Sequence, residues 1–143
     1  MREILFRGKR KDNGEWICGE YITIYDDPKY KAIKTCIELN TGIYEVVPDT
    51  VCQCTGLTDK NGRKIFEGDI CEFTIYCFDG GYEHYIGVIV FVDGCYMICE
   101  SPKGEEFKNN EMFYLTFAVE NGVDFIVTGN IADRPDFIGG RVF

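Results

Sequence analysis

Five dipeptides that favour tight β-turns divide this chain into short runs of β-branched and aromatic residues. In each of them Asn or Asp precedes Gly, and such a pair tolerates the positive φ angles that a two-residue hairpin turn requires. The five dipeptides are Asn13-Gly14, Asn61-Gly62, Asp79-Gly80, Asp93-Gly94 and Asn121-Gly122. Helical periodicity is nearly absent from the runs that flank them. The sequence therefore predicts a mainly β protein whose strands are joined by hairpins.

The length of 143 residues is typical of a single domain, which we expect to span residues 1–143. The hairpin-connected strands are predicted to form a partly mixed sheet or a barrel. The order of strand, glycine-containing loop, twisted strand, tight turn and strand is typical of a small SH3-like barrel, and Gly68-Asp69-Ile70 followed by Gly87-Val88-Ile89 resembles part of one. At most a short helical turn is expected near the C-terminus, at Pro135.

The predicted strands cover residues 4–7, 16–25, 31–39, 43–47, 51–55, 70–78 and 85–92. Segment 85–92 is apolar on both faces, so we place it at the sheet centre. In 70–78 the outward face is predicted to carry Glu72, Thr74 and Tyr76. A turn at Asp93-Gly94 would pair Val92 with Cys95, Val90 with Met97 and Val88 with Cys99. A turn at Asn121-Gly122 would pair Val119 with Asp124 and Phe117 with Ile126, and the polar segment 101–110 is predicted to be a loop.

The charge of the chain is distributed unevenly. Residues 1–11 carry five basic residues against Glu3, a net of +4, which leaves −13 for the remainder of a chain whose net charge is −9. An acidic body repels nucleic acid, whereas a basic patch attracts phosphates or an acidic partner. The candidate binding residues of this patch are Arg7, Lys9, Arg10 and Lys11, with Trp16 as a stacking residue. The other interpretation is a solvated edge strand that is protected by Lys and Arg.

Cysteine usage and the N-terminal residues indicate the compartment. Met1 is followed by charged residues, and no apolar run has the length of a signal peptide or a membrane span. We therefore expect a cytoplasmic protein that is not membrane-bound and whose eight cysteines stay reduced.

No metal or cofactor is predicted. The interval Cys95-x-x-x-Cys99 would suit zinc in a loop, but residues four apart in a strand lie about 13 Å from each other. The pair Cys52-x-Cys54 would share one face of a strand, yet it lacks a nearby histidine or a second close pair. We interpret these cysteines as core residues.

Any histidine-dependent catalysis would rest on His84, the only histidine of the chain. We expect His84 in a surface loop that follows Asp79. A nucleophile at Cys71 or Cys77 that is activated by His84 stays open, because catalytic partners meet in space and not in sequence. No catalytic residue is assigned.

Segment 55–70 is rich in turn residues and ends where a long apolar strand begins. Asn61-Gly62 is predicted to form a two-residue type I′ turn. Glycine, asparagine and aspartate at such positions are explained by turn geometry. We therefore predict a structural role for this signature turn, which comprises Thr55, Gly56, Leu57, Asp59, Asn61, Gly62, Glu67, Gly68 and Asp69.

This segment resembles the central signature of the YopX-like proteins, which phages and prophages encode. The matching residues are Cys54-Thr55-Gly56-Leu57-Thr58-Asp59-Lys60-Asn61-Gly62 and Ile65-Phe66-Glu67-Gly68-Asp69-Ile70. The opening of that family is similar to Phe6-Arg7-Gly8-Lys9 with Gly14-Glu15-Trp16-Ile17-Cys18-Gly19, and its closing motif to Thr128-Gly129-Asn130-Ile131 with Pro135-Asp136-Phe137. Cys54 departs from the pattern, because an aromatic residue is expected there. The resemblance implies a small, mainly β, phage-associated protein of the bacterial host cytoplasm, and it supplies no catalytic residues.

Three hypotheses about function follow, and they belong to different classes. The first is a non-enzymatic accessory module that binds a phage or host protein, or a second copy of itself, through an exposed sheet edge or aromatic loop residues. The second is a nucleic-acid-associated protein that uses the basic patch. The third is a small enzyme with a cysteine or carboxylate site.

Overall fold

The computed structural model describes residues 4–26, 31–100 and 112–142 of the chain. The chain divides into two compact units, Met1–Gly56 and Leu57–Phe143. Each unit is described by itself below, and the single domain of residues 1–143 stays a prediction. The mainly β fold class is confirmed.

The first unit is a sheet of antiparallel strands in the order β4-β3-β2-β1-β5. The strands are β1 (Phe6–Lys9), β2 (Trp16–Asp26), β3 (Lys31–Leu39), β4 (Gly42–Glu45) and β5 (Cys52–Thr58), and a 3-10 turn (Pro48–Thr50) precedes β5. The buried apolar side chains of this unit are Cys36, Ile37, Val46 and Cys54. Strand β5 continues into the second unit, where a loop joins it to the next strand.

The second unit is built around a sheet in the order β10-β9-β8-β7-β11, with a further strand, β12, paired to β8. The elements are β6 (Lys64–Phe66), β7 (Asp69–Tyr76), β8 (Tyr82–Val92), β9 (Cys95–Cys99), β10 (Phe113–Tyr114), α1 (Leu115–Asn121), β11 (Val123–Asn130) and β12 (Gly140–Val142). Strand β8 is the middle strand of this order, which confirms the predicted sheet centre.

The turn between β8 and β9 forms as predicted. Asp93 and Gly94 have φ angles of 50° and 79°, so both central residues adopt the left-handed conformation of a type I′ turn. The three predicted pairs, Val92 with Cys95, Val90 with Met97 and Val88 with Cys99, are all present. Local turn chemistry therefore sets the register of this hairpin correctly.

Aromatic rings fill the core of the second unit. The ring of Phe73 lies 5.8 Å from Tyr85, 5.6 Å from Phe125 and 5.4 Å from Phe113, measured between ring centroids. Helix α1 covers this cluster with Leu115 and Ala118, its buried residues. Burying one such ring contributes about 1.5–3 kcal/mol, so this cluster stabilises the unit.

The hairpin predicted at Asn121-Gly122 is wrong, because helix α1 occupies this segment. Gly122 follows the helix at φ −74° and its N–H donates to the carbonyl oxygen of Ala118. The segment turns into a helix because one side of it packs on the aromatic core, which overrides its β-rich composition. The strand that follows pairs with β7 instead, placing Ile126 opposite Glu72.

The predicted two-residue turn at Asn61-Gly62 is also wrong in type. The N–H of Asp59 donates to the carbonyl of Arg63, and that of Gly62 to the carbonyl of Asp59, so three residues form the loop. Gly62 alone is left-handed, with φ 79°, as the last residue of such a loop requires. The Asp59 carboxylate selects this form because its Oδ1 accepts the N–H groups of Asn61 and Arg63, each at 2.9 Å.

Further corrections concern the sheet type and the C-terminal turn. The sheets of the described ranges are antiparallel, so the mixed-sheet prediction is wrong; most neighbouring strands are consecutive in the chain, and each connection between them reverses the chain direction. These strands form open sheets and no closed barrel, so the prediction of an SH3-like barrel is also wrong. Pro135 lies in a turn region without a helix, and the predicted loop 101–110 lies outside the described residues.

Candidate functional site

The hairpin formed by β7 and β8 ends in a three-residue loop, 78–80, that projects an aromatic side chain. Cys77 donates its N–H to the carbonyl of Gly81, and Gly80 donates to the carbonyl of Cys77. Gly80 is left-handed with φ 87°, and Asp79 Oδ1 accepts the N–H of Gly81 at 2.9 Å. The loop is therefore held by its own backbone and by one carboxylate.

Three aromatic residues at this end of the hairpin are exposed, and we call them the hairpin tip: Tyr76, Phe78 and Tyr82. Their exposed fractions are 66%, 113% and 70%. Tyr76 and Tyr82 are direct cross-strand partners, with ring centroids 6.3 Å apart at an angle of 69°. Large apolar side chains exposed together are uncommon on a protein surface unless they contact something.

The sequence around the hairpin tip is acidic. No Lys or Arg occurs between Lys64 and Lys103, a stretch that contains seven Asp and Glu residues and includes all of β7, β8 and β9. Asp79 is exposed in the loop, and Glu83 is half-buried beside Tyr82. The Glu83 carboxylate also accepts the Tyr85 hydroxyl. Strand β12 brings one basic residue into register with this hairpin, because Arg141 pairs with Tyr85.

His84 lies on strand β8 and not in the predicted surface loop. Its Nδ1 lies 2.8 Å from Oγ1 of Thr74, its cross-strand partner, and its Nε2 lies 3.8 Å from Oε2 of Glu72. These three side chains share one face of the hairpin because strand residues alternate. They form a half-buried polar row that continues inward from Tyr76 and Tyr82.

Cys71, the cysteine of strand β7, does not lie on the same face as this polar row. Cys71 pairs with Gly87, an odd number of positions from the pair of Thr74 with His84, so its side chain lies on the opposite face of the hairpin. It is fully buried, and burial raises the pKa of this thiol well above its ordinary value of 9.0. A buried thiol is a poor nucleophile because the reactive species is the thiolate. Cys71 and His84 therefore do not form a nucleophile and base pair.

All eight cysteines lie among the described residues, and all are free thiols. Cys95 and Cys99 occupy the strand β9, as predicted, but Cys95 is exposed, so its interpretation as a core residue is wrong, because it lies beside the turn at the end of the strand. Within residues 4–26, 31–100 and 112–142 no group of three or more His, Cys, Asp and Glu side chains is placed to hold a metal ion.

The structure brings the residues of the predicted basic patch together, but their positively charged groups already contact aromatic rings or carboxylates. Strand pairing places Lys9 opposite Trp16 and Arg7 two positions further along the same strand. The Arg7 guanidinium carbon lies 4.9 Å from the Trp16 ring centroid, and the Lys9 ammonium nitrogen lies 5.5 Å from it. Such cation–π contacts cover the ring on which a nucleic-acid base would stack.

The remaining two cations of the patch have acidic partners. Arg10 lies 2.6 Å from Asp12, and this hydrogen bond lowers the pKa of the Asp12 carboxyl. Lys11 lies 2.7 Å from Glu45, and its hydrogen bond lowers the pKa of that carboxyl in the same way. The Arg10 guanidinium also lies 4.3 Å from the ring centroid of Tyr44. Two of the four cations of the patch are thus paired with carboxylates of their own unit.

The signature turn lies along the outer edge of strand β11. The N–H of Lys60 donates to the carbonyl of Phe125 at 2.8 Å, and Oδ2 of Asp59 accepts the N–H of Val127 at 3.1 Å. Because β11 is the last strand in the sheet order, these groups would otherwise face away from the sheet. We call loop 59–63 the edge loop.

The second half of the signature joins the closing motif. Gly68, at φ 85°, donates its N–H to the carbonyl of Ile89 and accepts the N–H of Ile131. Asp69 is fully buried, and its Oδ2 accepts the N–H of Phe66 at 2.8 Å. Asp69 also pairs with Asn130 across β7 and β11. These contacts tie the start of β7 to the end of β11.

The other signature residues differ in exposure. Thr55 is buried and Gly56 is exposed at φ 87°. Leu57 packs against the aromatic core of the second unit, and Glu67 is half-buried.

The sequence-based site residues do not include the hairpin tip. A signal for it exists, because Tyr76, Phe78 and Tyr82 flank the turn dipeptide Asp79-Gly80, and strand alternation predicts Tyr76 on the outward face. An aromatic residue that alternation places outward, beside a tight turn, is a surface feature that sequence can identify.

These observations define an antiparallel β protein with an aromatic hairpin tip and an edge strand covered by a polar loop. In the described part of the chain, no helix has both the length and the hydrophobicity needed to cross a bilayer. The family model described as YopX protein matches residues 5–138, so the chain belongs to the YopX family. A search of the curated proteins and a search of the solved structures each gave no match.

Proposed function

We propose that this YopX-family chain is a phage or prophage accessory protein that acts without catalysis, by binding another protein through the hairpin tip. The observation that carries this proposal is the exposure of Tyr76, Phe78 and Tyr82 at one end of the hairpin formed by β7 and β8. Aromatic residues are enriched where proteins bind each other, and each buries about 150–250 Å² when covered.

The hairpin is suited to binding because little of it has to be ordered first. The loop is fixed by two backbone hydrogen bonds and by Asp79, and Tyr76 and Tyr82 already contact each other. Binding by a preorganised surface loses less conformational entropy than binding by a mobile loop. The core side of the hairpin rests on Phe73 and Tyr85, which anchor the strands.

The two alternative functions have less support. The cations of the basic patch contact Trp16, Tyr44, Asp12 and Glu45, which reduces the charge available for phosphates. Of the two cysteines considered as nucleophiles, Cys71 and Cys77, Cys71 is buried and faces away from His84.

Site-specific photocross-linking in cells of the bacterial host tests the proposal. A photoreactive phenylalanine replaces Phe78, and in a matched protein it replaces Phe117, which is 44% exposed on α1. We expect a discrete cross-linked partner from position 78 that is absent from position 117. The cross-link should vanish when Tyr76→Ser and Tyr82→Ser are added.

The identity of the cross-linked species decides which protein is bound. A phage protein, a host protein or a second copy of this chain would each support the proposal. Equal cross-linking from both positions, or none from position 78 while the gene is expressed, would contradict it.

A further inference from the structure

We propose that the hairpin tip docks a basic segment of the partner protein, one that carries Arg or Lys between apolar side chains. This inference rests on the proposed function and specifies the chemistry of the occupant. It is argued from charge complementarity between the acidic hairpin and a cationic segment, and from the arrangement of the aromatic rings.

The charge argument starts from the strands that carry the hairpin tip. Strands β7, β8 and β9 contain no Lys or Arg, and the nearest basic residue in the sheet is Arg141 of β12, which pairs with Tyr85. Asp69 is fully buried, and Glu83 lies on the opposite face of the hairpin, where it accepts the Tyr85 hydroxyl. The carboxylates that can face a ligand at the hairpin tip are therefore Asp79 and Glu72, which shares the face of Tyr76. Asp79 is exposed within the loop, beside Phe78. A partner surface of like charge would be repelled, and a cationic one would be attracted and oriented.

The ring geometry favours a cation over a flat ligand. The planes of Tyr76 and Tyr82 meet at 69°, so the two rings do not form a parallel platform for stacked bases. An Arg guanidinium can lie on one ring face while its stem contacts the neighbouring ring. Phe78 is the most exposed of the three residues and supplies apolar area for the flanking residues.

Other occupants fit the same surface less well. Nucleic acid and anionic bilayers both carry negative charge, which the acidic residues of the hairpin would repel. An uncharged apolar segment would use the aromatic rings but would leave Asp79 without a counter-charge.

The test uses two synthetic peptides with the same apolar residues. The first is acetyl-Leu-Arg-Phe-Arg-Leu-Arg-amide, and the second replaces each Arg with Glu. Binding to the full chain is followed by fluorescence anisotropy of labelled peptide and by amide chemical shifts. We expect the Arg peptide to bind at least about tenfold more tightly than the Glu peptide, and Phe78→Ser to reduce its affinity at least about tenfold.

Matched variants separate the hairpin tip from the net charge of the chain. Asp79→Asn and Asp93→Asn each remove one exposed carboxylate from a hairpin turn, but Asp93 lies at the β8–β9 turn. We expect Asp79→Asn to weaken the Arg peptide about two- to fivefold, and Asp93→Asn to leave it unchanged. Phe91→Ser, which removes a ring 54% exposed elsewhere on β8, should also leave binding unchanged.

Several results would overturn the inference. These are equal binding of the two peptides, equal effects of Asp79→Asn and Asp93→Asn, an unchanged affinity in Phe78→Ser, or no binding at about 1 mM Arg peptide. If the photocross-link from position 78 persists while the Arg peptide fails, the docking chemistry is wrong and the proposed function stands. If both fail, the proposed function falls as well.

Discussion

At the scale of single residues, buried carboxylates hold the second unit together. Asp59 is 7% exposed and accepts three backbone N–H groups, two from its own loop and one from Val127. A carboxylate is suited to this position because both of its oxygens accept hydrogen bonds. A residue that looks like a solvated turn aspartate in the sequence is therefore a structural anchor.

We expect Asp59→Asn to lower the free energy of unfolding by about 1–3 kcal/mol. The asparagine amide has only one acceptor oxygen. In either orientation its NH₂ group, a donor, faces another donor: the N–H of Val127 or the N–H groups of the loop. Urea denaturation followed by far-UV circular dichroism measures the change.

Asp79→Asn is the matched control for this prediction. Asp79 accepts one N–H in an exposed turn through Oδ1 alone, and an asparagine oxygen can replace that acceptor. We expect its effect to stay within about 0.5 kcal/mol. Equal destabilisation by the two substitutions would show that the bond to Val127 contributes nothing.

At the scale of elements, sequence patterns predicted strands better than they predicted the packing of segment 115–121. Strand β8 and its register with β9 follow from local turn chemistry and alternation, which the sequence displays. Helix α1 depends on Leu115 and Ala118 meeting Phe73 and other distant core residues. No local pattern encodes that contact, so Asn121-Gly122 was assigned to a hairpin.

The close contact between β8 and β9 at Gly87 leads to a prediction about protein stability. A Cβ there would lie 2.6 Å from Cγ2 of Ile98 and 2.9 Å from the carbonyl oxygen of Cys99. We expect Gly87→Ala to destabilise the protein by about 1–3 kcal/mol because the neighbouring strand must move. Thermal and urea unfolding measure this effect.

Gly129→Ala in strand β11 serves as the comparison. A Cβ at Gly129 has Arg134 Cδ as its nearest neighbour at 3.7 Å, an ordinary contact. The substitution should cause no destabilisation, since alanine also restricts the unfolded chain. If Gly87→Ala proves equally harmless, strand β9 is more free to shift than its contacts indicate.

At the scale of the whole molecule, the cysteine thiols differ in how deeply they are buried. Cys18 and Cys95 are exposed, whereas Cys71 and Cys99 are buried. Burial raises the pKa of Cys99 from its ordinary value of 9.0 to about 11, and raises that of Cys71 further. The folded protein therefore holds these two protons more tightly than the unfolded chain does.

This difference predicts a loss of stability in alkaline solution. Below about pH 9 the two thiols are protonated in both states, so their contribution to folding is complete. Above it the unfolded chain loses these protons first, so the free energy of unfolding falls as the pH rises toward the folded pKa of each thiol. Chemical denaturation at intervals from pH 8 to 10.5 measures the slope.

The variants Cys71→Ala and Cys99→Ala provide the control for this pH dependence. Each removes a titrating group, so the slope of stability against pH should decrease even where the cavity lowers stability overall. Slopes identical to that of the parent protein would mean that other groups cause the alkaline loss.

The candidate site was predictable only in part, for physical reasons. The charges of Arg10 and Lys11 are visible in the sequence, and Arg10 pairs with Asp12 only two residues away, but the pairing of Lys11 with Glu45 depends on where the chain returns. The aromatic residues of the hairpin tip are visible too, yet their exposure depends on what covers each face of β7 and β8. Sequence supplies the chemical groups, and the tertiary contacts decide which of them stay available.

The edge loop also bears on how the chain folds during its synthesis. Asp59 and Val127 are 68 residues apart, and the loop leaves the ribosome well before strand β11 exists. When β11 pairs with β7, the loop that covers its outer side is already present. This strand therefore spends little time as an open edge on which a neighbouring nascent chain could assemble.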